Sequence, residues 1–244
     1  MIAVDNLHKA FGKVQAVAGA SFTANDGAIT GLLGPNGAGK TTALRMLYTL
    51  MRPDAGTIRI DAIDALAEPL AARRTMGVLP DAKGLYKRLS CRENIRYFGR
   101  LRGLDAATID RRTAQLIEAL DLGEVADRRA EGFSQGQRVK TAIARAVIHE
   151  PRNILLDEPT NGLDVMATRA MRKFLRGLRD AGHCVLLSTH VMQEVAALCD
   201  HIIVLAHGRV VAAGTADELR RQAGADNLED AFVALIGSEE GLSL

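Results

Sequence analysis

Eight consecutive residues, Gly34-Pro35-Asn36-Gly37-Ala38-Gly39-Lys40-Thr41, fit the pattern GxxxxGK[ST]. They directly follow an apolar run at residues 29–33 and directly precede a segment of helical pattern, the setting this motif needs. Its glycines let the backbone curl so that successive N–H groups point at a β-phosphate, and the start of the helix adds a positive end. Lys40 is expected to reach the β- and γ-phosphates of a bound nucleoside triphosphate, with Thr42 also contacting the nucleotide, and the Thr41 hydroxyl to ligate Mg²⁺.

A second acidic motif stands at Ile154-Leu155-Leu156-Asp157-Glu158, an apolar run ending in two carboxylates. An aspartate at the edge of a sheet can hold the coordination shell of Mg²⁺ while the next residue faces a water. Asp157 is therefore the metal-side candidate and Glu158 the base.

Many phosphate-loop proteins share these two motifs, small kinases and GTPases among them, so what lies between and after them decides. Phe133-Ser134-Gln135-Gly136-Gln137, followed by Arg138-Val139-Lys140 and by Ala142 to Ala146, strongly resembles the signature sequence of ABC ATPases. Ser134 is a natural N-cap for the helix it opens, whose dipole can address an anion. The resemblance implies that Ser134, Gly136 and Gln137 complete the site of a partner subunit rather than their own.

The remaining family elements follow in order. Leu163-Asp164 resembles the D-loop and Ser188-Thr189-His190 the switch histidine, while Phe11 stands where the family places an aromatic ring against adenine. The implied cofactors are ATP and Mg²⁺. The implied mechanism is two subunits, identical or not, closing over two MgATP and pulling on a separate membrane-spanning permease subunit, with the chain peripheral on the cytoplasmic face of the membrane. The stretches 78–86 and 192–195 resemble ATPase subunits of NatA-type sodium exporters, and 227–232 resembles related ABC-2-type exporters, which implies export, with sodium as the cargo. Two positions depart from the family pattern. Asp81 stands where a glutamine is usual, in the loop joining the metal site to the membrane partner, and keeps an oxygen ligand at the cost of an added charge. Gln135 stands where a glycine is usual and alters the signature surface without removing Ser134 or Gly136.

The elements that must position these residues read as β segments at 2–7, 17–22, 28–33, 57–60, 76–79, 153–156, 184–188 and 202–205, with helical patterns between several of them. Such alternation predicts a largely parallel sheet covered by helices. A helix is expected from Lys40 to about Met51, stopped by Pro53. From 85 to 130 the pattern is helical alone, and 217–236 reads as two short amphipathic helices. With the resemblance, the expectation is an α/β fold: a P-loop NTPase (RecA-like) core with a mainly parallel sheet, an N-terminal antiparallel β subdomain and an inserted α-helical subdomain at about 85–145. These make an ATP-binding domain at 2–215, with a C-terminal helical tail at 216–244.

The composition fits one large domain: 244 residues, 48% of them apolar. Lys plus Arg number 31 and Asp plus Glu 29, a net charge of +2 that recruits neither nucleic acid nor an anionic membrane by its overall field. Three widely spaced cysteines, Cys91, Cys184 and Cys199, suggest reduced thiols, not a disulfide framework or a zinc site. No secretory leader is expected at the start, and no stretch reaches the ~18 apolar residues of a membrane span.

The alternative is a soluble ABC ATPase acting on DNA or ribosomes. Repair types carry a long coiled-coil insertion and ribosomal types usually two cassettes, and neither is present. Six Phe, three Tyr and no Trp also offer few stacking platforms, so no nucleic-acid partner is expected. A non-catalytic regulatory cassette is opposed by the intact Glu158 and His190.

Overall fold

A computed structural model describes residues 1–237; the end of the expected tail, 238–244, lies outside the described residues. The chain begins with three strands, β1 (Ile2–Phe11), β2 (Val14–Ala24) and β3 (Ile29–Leu33), and helix α1 (Lys40–Leu47). Strands β4 (Ala55–Ile60) and β5 (Ile63–Asp64), helix α2 (Pro69–Arg74) and strand β6 (Met76–Leu79) follow. Three helices come next without an intervening strand: α3 (Cys91–Leu101), α4 (Ala106–Ala119) and α5 (Gln135–Val147). The remainder is β7 (Asn153–Asp157), α6 (Val165–Asp180), β8 (Cys184–Thr189), α7 (Met192–Leu198), β9 (His201–Ala206), β10 (Arg209–Gly214), α8 (Ala216–Ala223) and α9 (Leu228–Ile236).

Two sheets result. The larger has the order β10-β9-β3-β8-β7-β6, all parallel except β10, which returns antiparallel on β9. Its inner strands β3, β7 and β8 are buried at every position, which is why they read as unbroken apolar runs instead of alternating. The smaller sheet, β2-β1-β4-β5, is antiparallel. Expected and observed strands coincide apart from their ends. The short β5 and the whole of β10 carry no motif and were not expected.

Helix α1 ends earlier than the expected Met51. Thr49 takes the left-handed conformation (φ 59°). Leu50 N–H then bonds to Arg45 O at 2.9 Å and Thr49 N–H to Met46 O at 3.0 Å, the two bonds of a Schellman C-terminus. A β-branched residue in that region is strained, so no local propensity announces the stop. Helix α5 begins at the expected cap, Ser134 with Gln137, and side chains also cap α3 (Ser90 with Glu93), α4 (Asp105) and α6 (Asp164).

Candidate functional site

The parallel register brings the chemical residues to one edge. Leu33 lies opposite Thr189 and Asp157 opposite Ser188, so the loop after β3 and the ends of β7 and β8 open side by side at the carboxyl edge of the sheet. Crevices of this kind are where open α/β sheets bind ligands.

The loop 34–39 is shaped by close backbone approaches. A Cβ on Gly34 would sit 2.3 Å from Leu205 O, and one on Gly39, at φ 102°, 2.3 Å from Ala16 O. Only glycine fits at either place. Ala38 is tied to the β9–β10 turn by a bond from Gly208 N–H, whose own carbonyl accepts from Ala18 N–H. Lys40 is nearly buried and its Nζ donates to the carbonyls of Gly34 (2.6 Å) and Pro35 (3.0 Å). Burial pushes its ammonium below the usual lysine range, while the carboxylates of Glu158 and Asp157 oppose that shift.

Asp157 is 1% exposed, and its Oδ1 accepts from Ser188 Oγ at 2.5 Å and from Thr41 Oγ1 at 3.4 Å. Its Oδ2, equally buried, has no hydrogen-bond partner among the described residues. A buried carboxylate oxygen left bare is costly unless a cation meets it. Flanked by a hydroxyl from the phosphate loop, it fits a hard divalent ion with oxygen ligands. Glu158 has φ 49°, a left-handed backbone held by its N–H bonding to Ser188 Oγ and O. That turn sets Glu158 Oε1 2.9 Å from His190 Nδ1. Lys40, Thr41, Asp157, Glu158 and His190 therefore converge, as the sequence leads one to expect.

Other expected residues stand apart. Ser134 Oγ accepts from Gln137 N–H at 3.2 Å and Gln137 Oε1 from Ser134 N–H at 3.0 Å, so the pair caps α5. Among the described residues, neither bonds to the loop 34–41. Asp164 is the N-cap of α6, accepting from Ala167 N–H at 2.8 Å. Gly136 faces Leu163, and the stem of Gln135 lies over Gly162, where any Cβ would meet it at 2.7 Å. Gln135 thus lies against the turn at Gly162, next to Leu163 and Asp164 of its own chain. Phe11 is half exposed at the end of β1, with Lys9 Nζ 5.8 Å from its ring centroid. Asp81 is exposed and lines a 340 Å³ cleft with Lys83, Gln135 and Arg138.

Three contributions escape motif reading. Ser188 anchors both Asp157 and the Glu158 turn, although the sequence offers it only as a neighbour of His190. Lys83 donates to Asp157 O at 3.3 Å, and Arg145 clamps the loop carrying Lys83. Only a three-dimensional packing of α5 on that loop makes these visible. Glu194, in the stretch 192–195, is a structural partner: both its oxygens pair with Arg172 at 3.0 and 2.7 Å.

Comparison with known proteins bears on this geometry. The family model described as ABC transporter matches residues 17–161. The chain is 40% identical to the ABC transporter ATP-binding protein NatA of Bacillus subtilis, over 91% of this chain and 90% of that one. It is 40% identical to the Nod factor export ATP-binding protein I of Ralstonia nicotianae, over 94% and 72%. A dimeric structure of the ATP-binding cassette MJ0796 in a post-hydrolysis state with ADP and Pi superposes with a TM-score of 0.81 at 25% identity, covering 88% of this chain and 98% of that one.

Proposed function

The chain belongs to the ABC transporter family as an ATP-binding, ATP-hydrolysing subunit, and from that premise we propose that it powers export through a separate membrane-spanning subunit, two ATPase chains closing head-to-tail over two MgATP. The observation that carries the reading is the bare, buried Asp157 oxygen beside Thr41, one residue from the Glu158–His190 pair.

In this reading the N–H groups of residues 34–41 cradle the phosphates, and Lys40 exchanges the carbonyls of Gly34 and Pro35 for β- and γ-phosphate oxygens. Phe11 stacks on adenine. Thr41, Asp157 and Asp81 would hold Mg²⁺, which would supply neutralisation of phosphate charge. Glu158, fixed through Oε1 by His190, orients a water with its other oxygen. The water oxygen attacks the γ-phosphorus, its proton passes to Glu158, the bond to the β–γ bridging oxygen breaks, and ADP and phosphate result. His190, 45% exposed, reaches the γ-phosphate. Ser134, Gly136, Gln137 and Asp164 serve the site of the other chain, which agrees with their lack, among the described residues, of bonds to their own phosphate loop and with the dimeric form of MJ0796.

Residues 2–215 act as the ATP-binding domain, with the helical insert at 85–145 as its movable part. Export is supported by the Nod factor relative. Sodium is the cargo we take to test, on the likeness of 78–86 and 192–195 alone. No helix of the described residues is long and apolar enough to cross a membrane. In this proposal the chain is held at the cytoplasmic face by its partner, for which the groove between the core and the insert, 300 Å³ and lined by Leu50, Met76, Val78, Pro80 and Phe98, is an apolar seat.

The test is Glu158→Gln. Phosphate release should fall by about 10²–10⁴-fold, the worth of a positioned general base. ATP affinity should survive, and the variant should run as an ATP-bound dimer on size-exclusion chromatography. Parental turnover in that variant would remove Glu158 from catalysis, and an inactive monomer at saturating ATP would count against the two-chain site.

A further inference from the structure

Between β6 and α3 the chain crosses the mouth of the nucleotide site in a loop, residues 80–86. Its far end is pinned by the buried Asn94, which accepts from Tyr86 N–H and donates to the carbonyls of Tyr86, Leu89 and Ser90. Within the loop Lys83 turns inward, its Nζ donating to Asp157 O at 3.3 Å, where the chain passes from Asp157 to Glu158. Asp81 lines the same cleft.

The Lys83 backbone is clamped from behind. Arg145 on α5, 7% exposed, donates from Nη2 to Lys83 O and from Nη1 to Gly84 O, both at 2.7 Å. Its guanidinium lies 4.4 Å from the Phe98 ring centroid. An ammonium group held beside the two carboxylates at the end of β7 adds to the positive field that a net-negative MgATP meets there.

We propose that Lys83 is a second lysine of the nucleotide site, held at the Asp157–Glu158 junction by Arg145. This rests on the nucleotide-site reading above. Lys83 is a positioning residue: it acts on the triphosphate through the charge of the carboxylate cluster.

Equilibrium titration with a non-hydrolysable MgATP analogue tests it without reference to turnover. Lys83→Gln should raise Kd about tenfold, one charge interaction at effective protein dielectric. Lys83→Arg should bind as the parent does, and the penalty in Lys83→Gln should shrink as ionic strength rises above ~0.1 M. A Lys83→Gln protein with parental affinity, or a Lys83→Gln penalty that does not shrink with salt, overturns the proposal. Should Lys83→Gln fail to show a thermal unfolding transition, Lys83→Arg decides, since weaker binding than the parent overturns it. Lys40→Ala in the same titration separates the two readings: parental affinity there sinks the nucleotide site itself, while its loss beside an unaffected Lys83→Gln sinks only the role of Lys83.

Discussion

The phosphate-loop edge and the helical layer over it are held by different forces. At the edge, backbone touches backbone: Gly34 lies against Leu205 O, Gly39 against Ala16 O, and Ala38 is bonded to the β9–β10 turn. Nothing there adjusts without moving a buried strand. In the layer, side chains do the holding: Asn94 pins the loop 86–90, Arg145 clamps 83–84, and Ser134 and Gln137 cap α5. Side-chain bonds can be exchanged one at a time, so the first region suits a fixed receptor for phosphates and the second an element that moves against it.

Breaking the rigid side should cost most. Lys40→Ala should weaken MgATP binding at least ~100-fold, the worth of about 2.7 kcal/mol of charge-assisted contact, in equilibrium titration. Gly39→Ala meets a left-handed backbone and a carbonyl at 2.3 Å, and should lower unfolding free energy by on the order of 3 kcal/mol in urea. If Gly39→Ala were neutral, the loop would be as adjustable as the layer and the contrast would fall.

The layer should tolerate more. Ser134→Ala removes a cap and should cost about 1 kcal/mol, read from the same urea midpoint. Ser134→Arg should leave ATP binding to the isolated chain nearly intact yet prevent the ATP-bound dimer in a Glu158→Gln background. Loss of binding by the isolated chain would place the signature in its own site.

The last effect is one of pH. His149, between the layer and the core, has its pKa pushed down to about 4 by burial, with Arg102 and Arg112 adding to the shift. Below its ordinary value of 6.5 the unfolded chain takes up a proton that the folded chain refuses. Stability is therefore full above pH about 6.5 and falls as pH drops toward about 4. His149→Asn should flatten that part of the urea midpoint against pH, and an unchanged slope would show that His149 is not buried against the layer.

The core of this protein was legible because its chemistry is local. Residues 34–41 and 154–158 are contiguous, and a strand buried on both faces announces itself as an apolar run. The helix start at Ser134 was equally open to reading, since a cap is a bond between residues three apart. Where helix α1 stops was not, because Thr49 in a left-handed turn obeys its surroundings and not its own preference. Strand β10 likewise pairs with β9 with no motif to mark it.

What the sequence by itself determined is which groups are available: a glycine loop with its lysine, three carboxylates, a histidine and a capped helix. Only the tertiary structure decided their partners. Parallel register set Asp157 against Ser188, leaving one carboxylate oxygen bare, and a left-handed Glu158 met His190, 32 residues further along the chain. Packing of α5 on the loop 80–86 turned Lys83 toward Asp157, 74 residues away. Spacing along the chain reports bonds within a turn or a helix, whereas contacts between distant segments depend on strand order and layer packing, which no local residue pattern encodes.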